Sequence, residues 1–129
     1  MKKLLSAIAI LMVLCSALSV QGLKFTKTKQ NAGMVREGEK LTFEYPYENI
    51  GTQPVTINDA KFECTCTSVD YPKEPIQPGQ KGMIKITFDT ANKMDRQDRI
   101  VQLFTSAQVE PYKLRFKCVV LKPRKHDQH

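Results

Sequence analysis

Apolar and polar residues alternate with a period of two along most of the chain, and turn residues interrupt the alternation at short intervals. Leu41, Phe43, Tyr45 and Tyr47 share one parity, with Thr42, Glu44 and Pro46 between them. This is the pattern of a half-buried strand, and Pro46 places it at an edge or a bulge. The segment NIGTQP (49–54) reads as a turn in which Asn49 and Gly51 tolerate positive φ and Pro54 restarts an extended run. Val55 and Ile57 alternate, then the apolar parity shifts to Ala60 and Phe62. A one-residue shift predicts a bulge near Asn58–Asp59. In the loop YPKEPIQPGQKG (71–82), Pro78-Gly79 predicts a type II turn. Ile84, Ile86 and Phe88 form another alternating strand, and the polar TANKMDRQD (90–98) reads as a connection. RIVQLFT (99–105) is a more continuous apolar run, as expected of a central strand. In YKLRFKCVVL (112–121), Tyr112, Leu114, Phe116, Cys118 and Val120 face one way. LKFTKTKQ (23–30) is a weaker first strand.

No segment of helical length shows a 3.6-residue period, and the prolines and β-branched residues disfavour helices. About seven short strands in ~100 residues predict an all-β fold, an immunoglobulin-like antiparallel β-sandwich. The chain has no tryptophan, so it lacks the cysteine-bracketed tryptophan of antibody domains. No repeat or low-complexity segment interrupts the pattern.

The first 22 residues differ from the rest. Two lysines, an apolar run from Leu4 to Leu18 and then small residues make the three regions of a secretory signal. Cleavage is expected after Ser19 or Gly22. The run is too short to favour a membrane span, so no transmembrane segment is expected in the mature chain. Cys15 offers a lipoprotein alternative, disfavoured by Leu14, because acylation wants a small residue before the cysteine. The mature domain would then be residues 23–121, followed by a charged tail, 122–129, carrying both histidines, His126 and His129.

Composition narrows the function classes. The 129-residue chain has a formal charge of +7, of which Lys2 and Lys3 leave with the signal. The remaining basic excess is spread along the chain without a stripe of interleaved aromatics, so nucleic acid is not an expected partner. An anionic envelope polymer or lipid would suit it. Export to an oxidising compartment permits disulfides. Of four cysteines, removal of Cys15 leaves three, enough for one intramolecular disulfide and one spare thiol.

An ordered set of landmarks then stands out. Asn49 and Gly51 precede the V-x-I strand, which runs into C-x-C-T (Cys64, Cys66, Thr67). Tyr71-Pro72 and an I-x-P-G turn (Ile76, Pro78, Gly79) follow, then I-x-I-x-F-D-T (Ile84 to Thr90). Their order and spacing resemble a family of secreted bacterial domains of unknown function, many from Bacteroidetes, whose usual motif is C-G-C-T. That family is similar in architecture to the immunoglobulin-like domains of cilia and centrosome proteins and to pilus chaperones. The resemblance covers residues 24–121 and implies an immunoglobulin-like sandwich, export and no established activity. The chain departs from the pattern in Thr65, where glycine is usual, and in Cys118, which lies outside the motif.

Candidate chemistry is sparse. A nucleophile needs an imidazole or other base within hydrogen-bond reach, and both histidines fall in the tail. Ser68 and Ser106 lack a G-x-S-x-G context, and Glu63, Asp70 and Asp89 read as scattered solvated carboxylates. An enzyme is therefore not expected. An extended segment 62–67 would place Phe62, Cys64 and Cys66 on one face with Cβ atoms about 6.6 Å apart. A disulfide wants about 3.8 Å, so a direct Cys64–Cys66 bond would require a bend, which Thr65 resists more than glycine. Three readings remain open. The cysteines are small buried packing groups; or Cys118 bridges Cys64 or Cys66; or Cys64 and Cys66 bind a soft metal such as Cu(I), with Met83, Met94 or a tail histidine assisting. The row Phe43, Tyr45, Tyr47 is either core or an exposed binding surface.

The reading is an exported, non-catalytic binding or structural module of the bacterial envelope, periplasmic or at the cell surface. No cofactor is implied, and the partner is an envelope or surface protein or polymer. Soft-metal or thiol-redox binding at Cys64 and Cys66 is the alternative.

Overall fold

The structure, a computed structural model, describes residues 21–123. The apolar leader with Cys15, and the tail with His126 and His129, lie outside the described residues. Eight strands form: β1 (Leu23–Phe25), β2 (Lys29–Arg36), β3 (Lys40–Asn49), β4 (Ile57–Lys61), β5 (Thr67–Asp70), β6 (Lys81–Asp89), β7 (Asp95–Thr105) and β8 (Tyr112–Leu121). One sheet has the order β1-β3-β6-β5 and the other β2-β8-β7-β4. This is an all-β, immunoglobulin-like sandwich. Among the described residues no helix is long and apolar enough to cross a membrane.

The alternation builds the core directly. Phe43, Tyr45 and Tyr47 of β3 and Ile84, Ile86 and Phe88 of β6 face Val101 and Leu103 of β7 and Leu114, Phe116, Cys118 and Val120 of β8. Each such large apolar side chain contributes about 1.5–3 kcal/mol on burial. Aromatic contacts lock the sheets face to face, with Phe43 stacked on Phe116 at 4.8 Å and Phe88 tilted against it at 5.2 Å. The row Phe43, Tyr45, Tyr47 is thus core. Tyr45 is fully buried and its hydroxyl donates to the Arg115 carbonyl at 2.7 Å, across the sandwich.

The strand pattern departs from expectation at four places, each where the chain changes sheets or continues a strand through polar residues. The single first strand expected over 23–30 is two strands in different sheets. β1 pairs with β3, the chain crosses at Thr26–Thr28, and β2 runs parallel to β8, the one parallel pairing among the described strands. β2 continues to Arg36 through Asn31, Ala32 and Gly33, which carry no alternation. The chain likewise crosses between β4 and β5, so Thr67–Asp70 pairs with β6 in the other sheet. β7 starts at Asp95, inside the expected polar connection.

Pro46 sits mid-strand without disrupting the ladder. Its carbonyl accepts from Thr26 N–H at 3.1 Å, where the pairing with the three-residue β1 ends. Its missing donor therefore points toward the short end of that neighbour. The shift expected near Asn58–Asp59 is present as a register shift between Ile57 and Asp59.

Candidate functional site at the cysteine turn

The C-T-C-T segment is not strand. After Lys61 the chain leaves β4, and Thr67 N–H donates to the Cys64 carbonyl at 3.0 Å, closing a four-residue turn. Neither Thr65 nor Cys66 has positive φ. The turn is therefore of a kind that a β-branched residue accepts at its first central position, and Thr65 does not oppose the bend. The bend brings the Cα atoms of Cys64 and Cys66 to 5.1 Å, and their sulfurs are joined in a disulfide.

This corrects the strand-based geometry in two respects. Cys118 bridges neither partner; it is a free, buried thiol on the inner face of β8, opposite Gln97. Burial raises its pKa, opposed by the nearby positive charge of Arg99. With the two motif sulfurs bonded to each other, Cys64 and Cys66 present no thiolate pair to a soft metal. Among the described residues no group of three or more His, Cys, Asp or Glu is placed to hold a metal ion. Met83 and Met94 are exposed.

The turn is anchored at both ends. Asp89 N–H donates to the Cys66 carbonyl at 2.9 Å, tying it to the end of β6. Cys66 packs on the core, while Cys64 lines a cleft of about 120 Å³ with Phe62, Glu63, Thr67, Asp98, Arg99, Ile100, Val101 and Phe116. Cys66 N–H donates to the Cys64 sulfur at 3.2 Å.

Arg99 is the residue that sequence reasoning missed. It shares inward parity with Gln97, Val101 and Leu103, a pattern hidden by reading 99–105 as one apolar run. Its guanidinium donates to Gln97 Oε1 at 2.9 Å and lies over the Phe88 ring at 5.9 Å. Its Nε is buried and finds no partner among the described residues. Phe62, expected to face inward with the cysteines, is instead 39% exposed, beside Ile100 at 44%. These two line a second groove, of about 300 Å³, on the outer face of β7, with Lys61, Glu63, Gln102 and Lys113. On the same face Asp98 is paired with Arg115, whose Nε donates at 2.7 Å. That hydrogen bond and the Arg115 charge hold the Asp98 carboxyl below its ordinary pKa, against a smaller desolvation effect.

Asn49, Gly51, Ile76, Pro78 and Gly79 gather at the opposite end of the sandwich and build structure. The Asn49 side chain is buried; its amide donates to the carbonyls of Gln53 and Ile76, both at 2.9 Å, and its oxygen accepts Gly51 N–H at 3.0 Å. Neither Asn49 nor Gly51 has positive φ, so the turn needs them for contacts and not for backbone freedom. A side chain at Gly51 would press on the Gln21 backbone at 3.0 Å. Pro78-Gly79 forms the expected turn, with Gly79 at φ +80° and Gln80 N–H donating to the Gln77 carbonyl at 3.0 Å. Gly79 N–H then donates to the Asn49 carbonyl at 2.8 Å.

Comparison with known proteins agrees with this layout. The sequence profile of DUF1573, a family of proteins of unknown function, matches residues 23–120. This chain belongs to the DUF1573 family. No match is found among curated proteins. A protein of unknown function from Porphyromonas gingivalis W83 superposes with a TM-score of 0.66 at 15% identity, over 80% of this DUF1573 chain and 48% of that one. The ASH/PapD-like domain 7 of human CEP192 superposes at 0.61 and 9% identity, over 82% and 89%. The Vibrio cholerae VesB protease superposes at 0.58 and 15% identity, over 76% of this chain but 31% of its own. The chain thus spans less than half the length of the Porphyromonas and Vibrio proteins. At these identities the likeness is one of fold.

Proposed function

We propose that this DUF1573 domain is a non-catalytic binding module of the bacterial envelope, contacting a protein partner through the outer face of β7 beside the cysteine turn. The observation that carries this reading is the pair Phe62 and Ile100, two large apolar side chains exposed side by side on one groove. Such pairs serve as anchors at protein interfaces. Lys61 and Lys113 flank the groove, so the complementary partner is a polypeptide segment with an apolar anchor and acidic neighbours. The immunoglobulin-like fold supports a binding role by analogy, since it presents faces and edges on a rigid frame. A disulfide supports an oxidising compartment, as does the apolar leader.

The test is capture from envelope extract by the wild-type protein and by Phe62→Ser, Ile100→Ser and, as a control, Val109→Ser, which alters an apolar side chain exposed elsewhere. A polypeptide retained by wild type and Val109→Ser, lost by the other two and weakened by salt is the expected result. Capture indifferent to Phe62 and Ile100, or capture of a polysaccharide in place of protein, overturns the reading.

A further inference from the structure

We propose that Cys64–Cys66 is an exchangeable disulfide, able to oxidise a dithiol, with Cys64 as the sulfur that carries the mixed disulfide. The bond adds little to the hold on its own turn. It closes a loop of sequence separation 2, around a turn already held by the Thr67–Cys64 backbone bond and the Asp89–Cys66 bond. Cross-links that close such short loops restrict the unfolded chain least. The bond can therefore open without releasing the turn.

Position makes the two sulfurs unequal. Both cysteines are half-buried, but Cys64 lines the cleft, whereas Cys66 packs on the core. The Cys66 N–H aimed at the Cys64 sulfur favours negative charge on Cys64, and Arg99, which lines the same cleft, adds a positive charge to its wall. Other charges face the cleft. Glu63 of the turn opposes Arg99, while Asp98 of β7 is engaged by Arg115 of β8.

The chemistry balances without a further reagent. A substrate thiolate attacks the Cys64 sulfur, forming a substrate–Cys64 disulfide and releasing Cys66 as thiolate. The second substrate thiolate attacks the substrate sulfur of that bond and expels Cys64 as thiolate. The substrate closes its own disulfide. Two electrons pass to the Cys64–Cys66 pair, and the two protons given up by the substrate thiols are taken up by Cys64 and Cys66. Stabilisation of the Cys64 thiolate makes it the better leaving group in the second step. Cys118, buried and with a raised pKa, takes no part. The proposal does not rest on the Phe62–Ile100 surface, and glutathione as probe keeps the two tests separate.

The experiment uses purified protein carrying Cys118→Ala, so that the buried thiol is not counted. If that variant does not fold, wild-type Cys118 is followed by peptide mapping instead. Reduced Cys66→Ser and Cys64→Ser are each incubated with oxidised glutathione, and adducts are followed by mass. The expected result is an adduct on Cys64 forming about tenfold faster than one on Cys66, the scale of a lowered thiol pKa. The pH profile of Cys64 alkylation should shift upward in Arg99→Gln and move back in Arg99→Lys, a response that a purely structural arginine would not produce. Equal rates at the two cysteines, or reduction of the disulfide only in step with loss of folded circular dichroism, would overturn the proposal.

Discussion

The Asn49 side-chain amide donates to the carbonyl of Ile76, 27 residues further on, at 2.9 Å and wholly inside the protein. The same amide holds Gln53, and the Asn49 oxygen holds Gly51. One side chain thus fastens two loops at one end of the sandwich. Asn49→Ala takes one partner from the buried Ile76 carbonyl, which keeps Val55 N–H at 2.9 Å, and removes the partner of the part-buried Gln53 carbonyl and Gly51 N–H. A loss of about 1–2 kcal/mol is expected in urea unfolding, since three hydrogen bonds go but the buried carbonyl keeps one donor and water reaches the other two groups in part. Asn49→Asp should be at least as damaging, since a carboxylate cannot donate to the two carbonyls.

Tyr47 lies over Gly82, and a Cβ added at Gly82 would collide with its hydroxyl and ring. The glycine is required for space, as its φ is not positive. Gly82→Ala should cost about 1–3 kcal/mol through overpacking, read as a lowered midpoint with unchanged slope. Tyr47→Phe in the same background should recover part of the loss by removing the nearest atom.

Tyr45 is held un-ionised by burial, with its pKa pushed well above the usual value of 10.0. A raised folded pKa means that the unfolded chain loses its proton first. The stabilising contribution is complete below about pH 10 and is lost as pH rises toward the folded pKa. Tyrosinate absorbance should show late ionisation from Tyr45 and from Tyr47, which burial also raises, and Tyr45→Phe should remove the Tyr45 part of that component. The same variant loses the bond to Arg115, for about 1 kcal/mol at neutral pH.

Replacing both motif cysteines, in Cys64→Ser with Cys66→Ser, should lower stability by less than about 2 kcal/mol, below the loss usual for a disulfide of longer span. The melting curve of wild-type protein should shift little on addition of reductant. A collapse of the fold on reduction would assign the bond a structural role.

Gln21 and Gly22 are built into the fold. Gln21 Oε1 accepts Thr52 N–H at 3.1 Å, and the Gly22 carbonyl accepts Ile50 N–H at 3.1 Å. Of the two cleavage positions expected of a secretory leader, cleavage after Ser19 would keep these contacts and cleavage after Gly22 would remove them. N-terminal sequencing of exported protein is expected to begin at Val20.

Legibility followed locality. The inward faces of β3, β6 and β8 and the Pro78-Gly79 turn could be read from alternation and from φ preferences, because each depends on a few neighbouring residues. The landmark residues were legible as a set, but their division between two ends of the sandwich was not. Turn chemistry suggests backbone freedom at Asn49 and Gly51, whereas the fold uses Asn49 for bonds that reach 27 residues away. Arg99 is not legible in the sequence, because a charged residue on an inward parity has no visible role until its contacts with Gln97 and Phe88 are in place.

The amino-acid sequence alone determined the class of fold, since a period of two with frequent turns leaves only sheets to bury its apolar face. Tertiary structure decided where the chain changes sheets, at Thr26–Thr28 and between Lys61 and Thr67. A crossing depends on pairing partners far along the chain, and no local periodicity marks it. The fate of Cys64 and Cys66 hung on that second crossing. In a continuing strand their side chains stand too far apart to bond; in the turn that carries the chain from β4 to β5 they meet, and Cys118 is left alone in the core.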